Sequence, residues 1–216
     1  MKIRSRHRSG WGRFEPRRLL RRLRDVAEAV WEWIVTTVLR LTGELRRRAL
    51  LANMVEADII LASPRTLRLS PIALVYRMLL RATYVHSMLY LGKGRMLHTT
   101  SRHGVVVSPV PRTIYRRNRY AVYRVPYLRA RQRRRVVEQA LKFRAMKLDK
   151  PALVTNIPSR LLALRRPLLR LEKNRLWCSK LIERAYAAAG IELVAPDRKD
   201  TVTSEDLACS PALVRL

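Results

Sequence analysis

Residues 84–100 read YVHSMLYLGKGRMLHTT, and this stretch predicts a β-hairpin. Two runs of strand-forming residues flank Gly92-Lys93-Gly94, which is a turn signal. His86 lies six residues before Gly92, and His98 lies four residues after Gly94. The two histidines are therefore predicted to be near neighbours on adjacent strands, where one imidazole can act as a base and the other can orient it.

Further elements surround this hairpin. Strand-like runs occur in EADIILASP (56–64), GVVVSPV (104–110) and YAVYRVP (120–126). Helical patterns cover 71–83, the very basic segment 129–147 and a segment that begins at Cys178. Residues 151–173 fit neither pattern, because three prolines interrupt their apolar stretches. This order predicts an α+β fold, with a small antiparallel sheet or half-barrel packed on helices.

The N-terminal quarter of the chain differs in composition and predicted structure from the rest. Residues 1–16 are basic and predict a flexible arm, and 17–54 predict a basic amphipathic helix with an apolar residue every three or four positions. Its apolar middle is 16 residues long and contains two glutamates, so it is too short and too charged to span a membrane. With Trp31 and Trp33 it could lie on a membrane surface. Packing on the body, residues 55–216, or on a partner protein is the preferred interpretation.

The charge is extreme, with 46 basic and 16 acidic residues and a formal net charge of +30. Arginine supplies 38 of the basic residues, and its planar fork pairs bidentately with phosphate. The bias therefore predicts a polyanionic partner, either nucleic acid or an anionic membrane surface. An arginine-rich proteome explains it equally well. No secretory signal is evident, and the two cysteines form no disulfide framework. We expect a cytoplasmic or virion-associated protein that can be peripheral on a membrane.

One cysteine is placed for chemistry. In NRLWCSKLIERAYAAAG (174–190), Cys178 heads an amphipathic helix that stops at Gly190. A helix N-terminus stabilises a thiolate, but a lone cysteine beside Trp177 is more often a small buried hydrophobe. A zinc site made of Cys178 and three histidines (His86, His98 and His103) matches no common spacing. Cys209 has no partner in the sequence and is interpreted as structural.

These motifs carry a resemblance over residues 55–216. His86-x-x-x-Tyr90-Leu91-Gly92 and the later Cys-Ser-x-Leu-Ile-x-x-Ala-Tyr of 178–186 resemble the circularly permuted branch of the NlpC-type papain-like superfamily. YiiX/YebB-like proteins and, more distantly, the lecithin:retinol acyltransferase group share this order, in which the histidine strand precedes the cysteine helix. The resemblance implies a permuted papain-like fold.

The resemblance also implies roles for individual residues. Cys178 would be the nucleophile, His86 the general base and His98 the third polar group. The chain departs from the family pattern where Ala57 replaces the glycine before Asp58. In RAMKLDK, Asp149 stands where a Gly-x-x-Tyr-Asp signature is usual, without the aromatic residue.

The resemblance implies a thiol hydrolase that cleaves an amide or ester bond, in a peptidoglycan-type peptide or a lipid acyl group, without a cofactor. The alternative is a catalytically idle, highly basic structural protein that binds nucleic acid or a membrane, such as an internal virion component. Residues 116–147, with 12 basic residues and one acidic residue, favour that alternative. The tyrosines at 115, 120, 123 and 127 are interpreted mostly as sheet residues rather than a base-stacking platform.

Overall fold

A computed structural model describes residues 51–64, 71–110, 118–164, 168 and 174–216, together with helical positions scattered between 27 and 49. The predicted arm 1–16 lies outside the described residues. The described positions between 27 and 53 are helical, as the periodicity predicts, and Trp31 and Trp33 are 67% and 69% exposed. Among the helices that the structure describes, none has the length and apolar character needed to cross a membrane.

The chain divides into two compact units, Met1–Thr42 and Gly43–Leu216. The second unit is built on a six-stranded antiparallel sheet in the order β4-β3-β2-β1-β5-β8. Its strands are β1 (Ile59–Pro64), β2 (His86–Gly92), β3 (Arg95–Thr100), β4 (Gly104–Pro109), β5 (Asn118–Arg124) and β8 (Val214–Arg215). A separate parallel pair joins β6 (Lys147–Leu148) to β7 (Arg175–Leu176). The predicted hairpin is confirmed as β2 and β3.

Within the described residues, the second unit also contains the helices α1 (Pro71–Leu79), α2 (Ala130–Leu141), α3 (Lys150–Leu161), α4 (Cys178–Ala188) and α5 (Ser204–Ala208), with a 3-10 turn at Pro196–Arg198. Helix α4 packs directly on the sheet, and α2 packs on α4. An antiparallel sheet packed against helices confirms the predicted α+β class.

The predicted helix over 71–83 is too long, because α1 stops at Leu79 and Arg81 takes a positive φ of 49°. The predicted helix over 129–147 is also too long. The chain turns after Leu141, where Ala145 takes a positive φ of 69°, and then enters β6.

The segment 151–173, which the sequence left unassigned, begins inside α3. Asp149 is the N-cap of α3, and its Oδ1 accepts the Ala152 backbone N–H at 3.0 Å. Pro151 sits in the first turn, where a proline costs no hydrogen bond, and Pro158 lies near the C-terminal end of the helix. The carboxylate of Asp149 therefore caps a helix that the sequence pattern did not predict because the helix contains two prolines.

Both faces of the sheet are buried. On one face Ile59 and Leu61 of β1 pack with Leu181 and Ile182 of α4, and all four are fully buried. The opposite face carries the alternate strand residues, which pack with residues from the end of the N-terminal helical segment. That second cluster consists of Met54, Ile60, Ala62, Met88, Tyr90, Met96, Val110 and Val122, with Leu51 and Tyr120 against it. The second unit therefore begins before residue 55, the predicted boundary of the body.

A buried ion pair fixes the start of β1. Asp58 is 1% exposed, and it accepts hydrogen bonds from Arg124 Nε at 2.8 Å and Nη2 at 2.7 Å. The Val55 backbone N–H also donates to Asp58, at 2.8 Å. Tyr186 of α4 donates its hydroxyl to the carbonyl oxygen of Ala57. Ala57 has φ 70°, a left-handed conformation that favours glycine.

The backbone of Gly104, at the start of β4, passes close to the Met146 carbonyl oxygen, just before β6. Gly104 and Gly94 have nearly equal φ values of +66° and +67°, but a Cβ on Gly104 would lie 2.1 Å from the Met146 carbonyl oxygen, whereas one on Gly94 would have no neighbour within 4 Å. Gly94→Ala should cost about 1–2 kcal/mol of unfolding free energy through backbone strain alone. Gly104→Ala should cost about 1–3 kcal/mol more through the clash. Chemical denaturation followed by circular dichroism measures both, and equal losses would contradict the close approach.

Candidate active site

The thiol of Cys178 is held by the start of α4. Trp177 is the N-cap of this helix, and its indole Nε1 donates to the Val202 carbonyl oxygen at 2.9 Å. Ser179 donates its hydroxyl to the same oxygen at 2.8 Å. Both neighbours of Cys178 thus donate hydrogen bonds to the Val202 carbonyl oxygen. The buried face of α4 packs the helix against the sheet.

His86 is the first residue of β2 and pairs with Ala62 of β1. The chain that leads into the strand is fixed by a carboxylate from α5, because Glu205 Oε2 accepts the backbone N–H groups of Thr83 at 2.7 Å and Tyr84 at 3.1 Å. Sequence reasoning missed Glu205, whose partners lie more than a hundred positions earlier. The only signal was the TSED sequence, in which Thr203 is the N-cap of α5.

The two hairpin histidines lie together, as the count from the turn predicts. Their ring centroids are 5.7 Å apart with the planes at 76°, an edge-to-face contact. His98 Nε2 is 3.0 Å from the hydroxyl oxygen of Ser108 on β4. Burial, and then the positive charge of His86, lower the pKa of His98 to about 4. His98 is therefore neutral at neutral pH and contacts His86 through its ring.

The surroundings of Cys178 favour its thiolate. The residue is 9% exposed, and burial of the thiol raises its pKa. Hydrogen bonding and charge from His86, with hydrogen bonds from the backbone and hydroxyl of Ser87, lower the pKa by more, so that it settles at about 7. Cys178 is thus both buried, as the simpler interpretation had it, and prepared for nucleophilic chemistry. Sequence reasoning missed Ser87, a fully buried serine in an otherwise apolar strand.

Cys178 and His86 open into one cavity of about 240 Å³. Its walls are mainly apolar and are formed by Tyr76, Tyr84, Val85, Leu148, Leu153 and Trp177. Lys150 also lines the cavity and is itself exposed, so it brings a positive charge to the rim. A cavity of this kind accepts an apolar group beside the thiol and leaves polar or charged parts of a ligand outside.

Buried hydrogen bonds hold the far wall of this cavity. The Tyr76 hydroxyl donates to the Leu153 carbonyl oxygen at 2.9 Å. Asn156 Nδ2 donates to the Thr201 carbonyl oxygen at 3.1 Å and to the Tyr76 hydroxyl at 3.4 Å. Burial raises the pKa of Tyr76 far above its usual range, so this hydroxyl stays protonated and acts as wall, not as an acid or base.

Other residues selected from the sequence lie elsewhere. Cys209, expected to be structural, is instead an exposed free thiol at the C-cap of α5. His103 is exposed in the turn between β3 and β4. Among the residues that the structure describes, no three His, Cys, Asp or Glu side chains come together as a metal site. The interpretation of the tyrosines mostly as sheet residues holds for Tyr120 and Tyr123, which lie in β5, whereas Tyr127 is 90% exposed outside the sheet and position 115 lies outside the described residues.

Comparison with known proteins gives a likeness in structure. No protein-family profile and no curated protein sequence matches the chain. Solved structures do match, including the crystal structure of the metalloprotein YiiX from Escherichia coli O157:H7, a DUF1105 protein. The two chains are 14% identical with a TM-score of 0.55, over 74% of this chain and 95% of that chain. The likeness shows that the two share a fold, which confirms the predicted similarity to YiiX-like proteins at that level.

The lowered pKa of Cys178 is directly measurable in a Cys209→Ser background, which leaves one thiol. We expect thiolate absorbance to titrate with a midpoint near pH 7. His86→Ala should raise the midpoint by more than about one unit, because only the hydrogen bonds of Ser87 would then oppose the effect of burial. Ser87→Ala should shift it in the same direction by less. A titration midpoint that is the same in His86→Ala as in the parent protein would contradict the contact between the two side chains.

Proposed function

We propose that this protein is a cysteine hydrolase, with Cys178 as the nucleophile, His86 as the general base and His98 as the residue that positions His86. One observation carries the proposal: the thiol at a helix start and the imidazole at a strand start line the same apolar cavity. The fall in the pKa of Cys178 to about 7 adds to it, since a thiolate present at neutral pH is the reactive species. Within the shared fold, we infer the permuted NlpC-type papain-like arrangement.

Acylation would proceed from a thiolate and a protonated His86. The Cys178 sulfur attacks the carbonyl carbon of an amide or ester, and the carbonyl electron pair moves to oxygen. The backbone N–H of Cys178, at the first position of α4, would donate to that oxyanion with the support of the helix dipole. Collapse expels the amine or alcohol, which takes its proton from His86, and leaves an acyl-thioester on Cys178.

Deacylation would reverse these roles. Neutral His86 takes a proton from water, and the hydroxide oxygen attacks the thioester carbonyl. Collapse of the second tetrahedral intermediate releases the carboxylic acid and restores the thiolate and the imidazolium. His98 would keep the His86 ring in place through the edge-to-face contact, and it stays neutral beside the charged imidazolium.

The cavity bears on the substrate. Apolar walls beside the thiol suit an acyl chain or a small apolar side chain, which fits lipid acyl groups and peptide amides of the peptidoglycan type. YiiX is described as a metalloprotein, and the described residues of this chain assemble no comparable donor set. The residues do not fit a metal at the site, and no step here is assigned to one.

Hydrolysis of wall-derived peptides and of phospholipids by the full chain tests the proposal. Cys178→Ala should lower kcat/KM on any substrate cleaved by at least about a thousandfold, and His86→Ala by a similar factor. The matched control is Cys209→Ala, which removes the other thiol and should leave the rate unchanged. A substrate cleaved equally well by wild type and Cys178→Ala would overturn the proposal.

The rate should also follow the ionisation of the thiol. We expect kcat/KM to rise as the pH increases through about 7, because the thiolate is the nucleophile and its pKa lies there. Ser87→Ala removes the hydroxyl hydrogen bond that favours the thiolate, so the same rise should occur at higher pH. A profile that is flat from pH 6 to 8 (about one unit on either side of that pKa) would contradict a thiolate mechanism.

A further inference from the structure

The exposed face of α2 is strongly cationic. The segment between Val125 and Leu148 contains eight basic residues and one acidic residue, Glu138. Val136 and Ala140 are fully buried on the side that packs against α4. By the 3.6-residue period, the exposed side chains of Arg131, Arg134 and Arg135 share the opposite side. A rigid helix therefore presents its arginines to solvent in a row.

The row continues into a cleft. Beyond the C-terminal end of α2, a cavity of about 480 Å³ is lined by Lys142, Arg144, Ala145, Met146, Lys147, Asn174 and Arg175. Four of these seven residues are cationic and none is acidic. Lys147 and Arg175 face each other in register across β6 and β7, so two strands bring their charges together.

Apart from Arg175, the cationic side chains of this surface form no ion pair within the described part of the molecule. Between Val125 and Leu148, the exposed basic residues that lie in no ion pair with a described acidic side chain are Arg129, Arg131, Arg134, Arg135, Lys142, Arg144 and Lys147. Unpaired like charges at such spacing repel one another, and a bound polyanion would offset that repulsion. We therefore expect this surface to bind an anionic ligand that carries many charges.

We propose that the exposed face of α2 and the adjoining cleft bind the phosphate backbone of nucleic acid. From Arg131 to Lys142 the helical path is about 16 Å, which covers roughly five phosphates of one strand at about 3.4 Å each. Arginine forks suit phosphate oxygens, and the exposed ring of Tyr127, just before α2, offers a face for base stacking. This binding is independent of the hydrolase proposal.

Nucleic acid is favoured over a membrane by what the surface lacks. A helix that lies on a bilayer inserts large apolar side chains beneath its basic residues. Between 127 and 147, the large hydrophobic residues exposed among the described side chains are Tyr127, at 90%, and Leu141, at 40%. The surface thus provides charge and a cleft, with little apolar area to insert.

The test compares two triple variants of the full chain that lose the same charge. Arg131→Gln/Arg135→Gln/Lys147→Gln alters the proposed surface, and Lys93→Gln/Arg95→Gln/Arg102→Gln alters exposed positions on the β2–β3 and β3–β4 turns. Affinity for a labelled oligonucleotide is measured across a salt series. At about 0.1 M salt the first variant should bind at least tenfold more weakly, with a log–log salt slope reduced by about 2. The second should stay within about twofold of wild type, since random surface charge contributes little.

Equal weakening in the two variants would overturn the proposal, as would wild-type binding to vesicles of anionic phospholipid that exceeds binding to the oligonucleotide. A footprint on unmodified protein gives a readout that does not depend on variant folding. Bound oligonucleotide should protect Lys142 and Lys147 from acetylation but not Lys93, and equal reactivity of all three would also contradict the surface. Cys178→Ala should bind nucleic acid as wild type does. The binding measurement therefore stands whether or not the hydrolase proposal fails.

Discussion

The arrangement depends on burying a thiol at the start of a helix beside an imidazole at the start of a strand. Burial alone would make Cys178 a poor nucleophile, because a low-dielectric surrounding disfavours the thiolate. His86 and Ser87 outweigh that penalty and bring the pKa of the thiol to about 7. Much of the surrounding packing serves this balance: α4 is pressed on the sheet by its apolar face, and the Val202 carbonyl oxygen holds the residues on both sides of the thiol.

Local signals in the sequence predicted the hairpin that brings His86 and His98 together and the helix that begins at Cys178. The convergence of Cys178 and His86 was expected only from the family resemblance. The α+β class and the positions of the longer strands follow from the periodicities, but the strand limits differ: β1 begins at Ile59 rather than at residue 56, and β5 spans Asn118–Arg124 rather than 120–126. The charge excess was also visible, but composition cannot say which arginines share a surface, and that required the orientation of α2 against α4.

What the sequence did not predict depends on long-range contacts. Glu205 anchors the chain before His86, although nothing near it in sequence indicates that partner. The helix over 129–147 is cut short because the Met146 carbonyl oxygen accepts the Val105 backbone N–H at 2.8 Å, a contact that Gly104 permits. Helix α3 depends on one capping carboxylate, that of Asp149, which outweighs its unfavourable proline content. In the first two cases the deciding contact is tertiary, whereas the Asp149 cap is a local contact.

The short β6–β7 pair connects the two features on which the proposals rest. Lys147 pairs with Arg175 in the cationic cleft, and the next pair, Leu148 and Leu176, leads into the apolar cavity and to Cys178. Because successive side chains of a strand point to opposite sides, one residue step separates the proposed phosphate-binding surface from the wall of the cavity that Cys178 lines. A polymer held in the cleft would therefore lie beside the cavity without occupying it. The two activities can coexist in one chain, and a change in the β6–β7 register would disturb both.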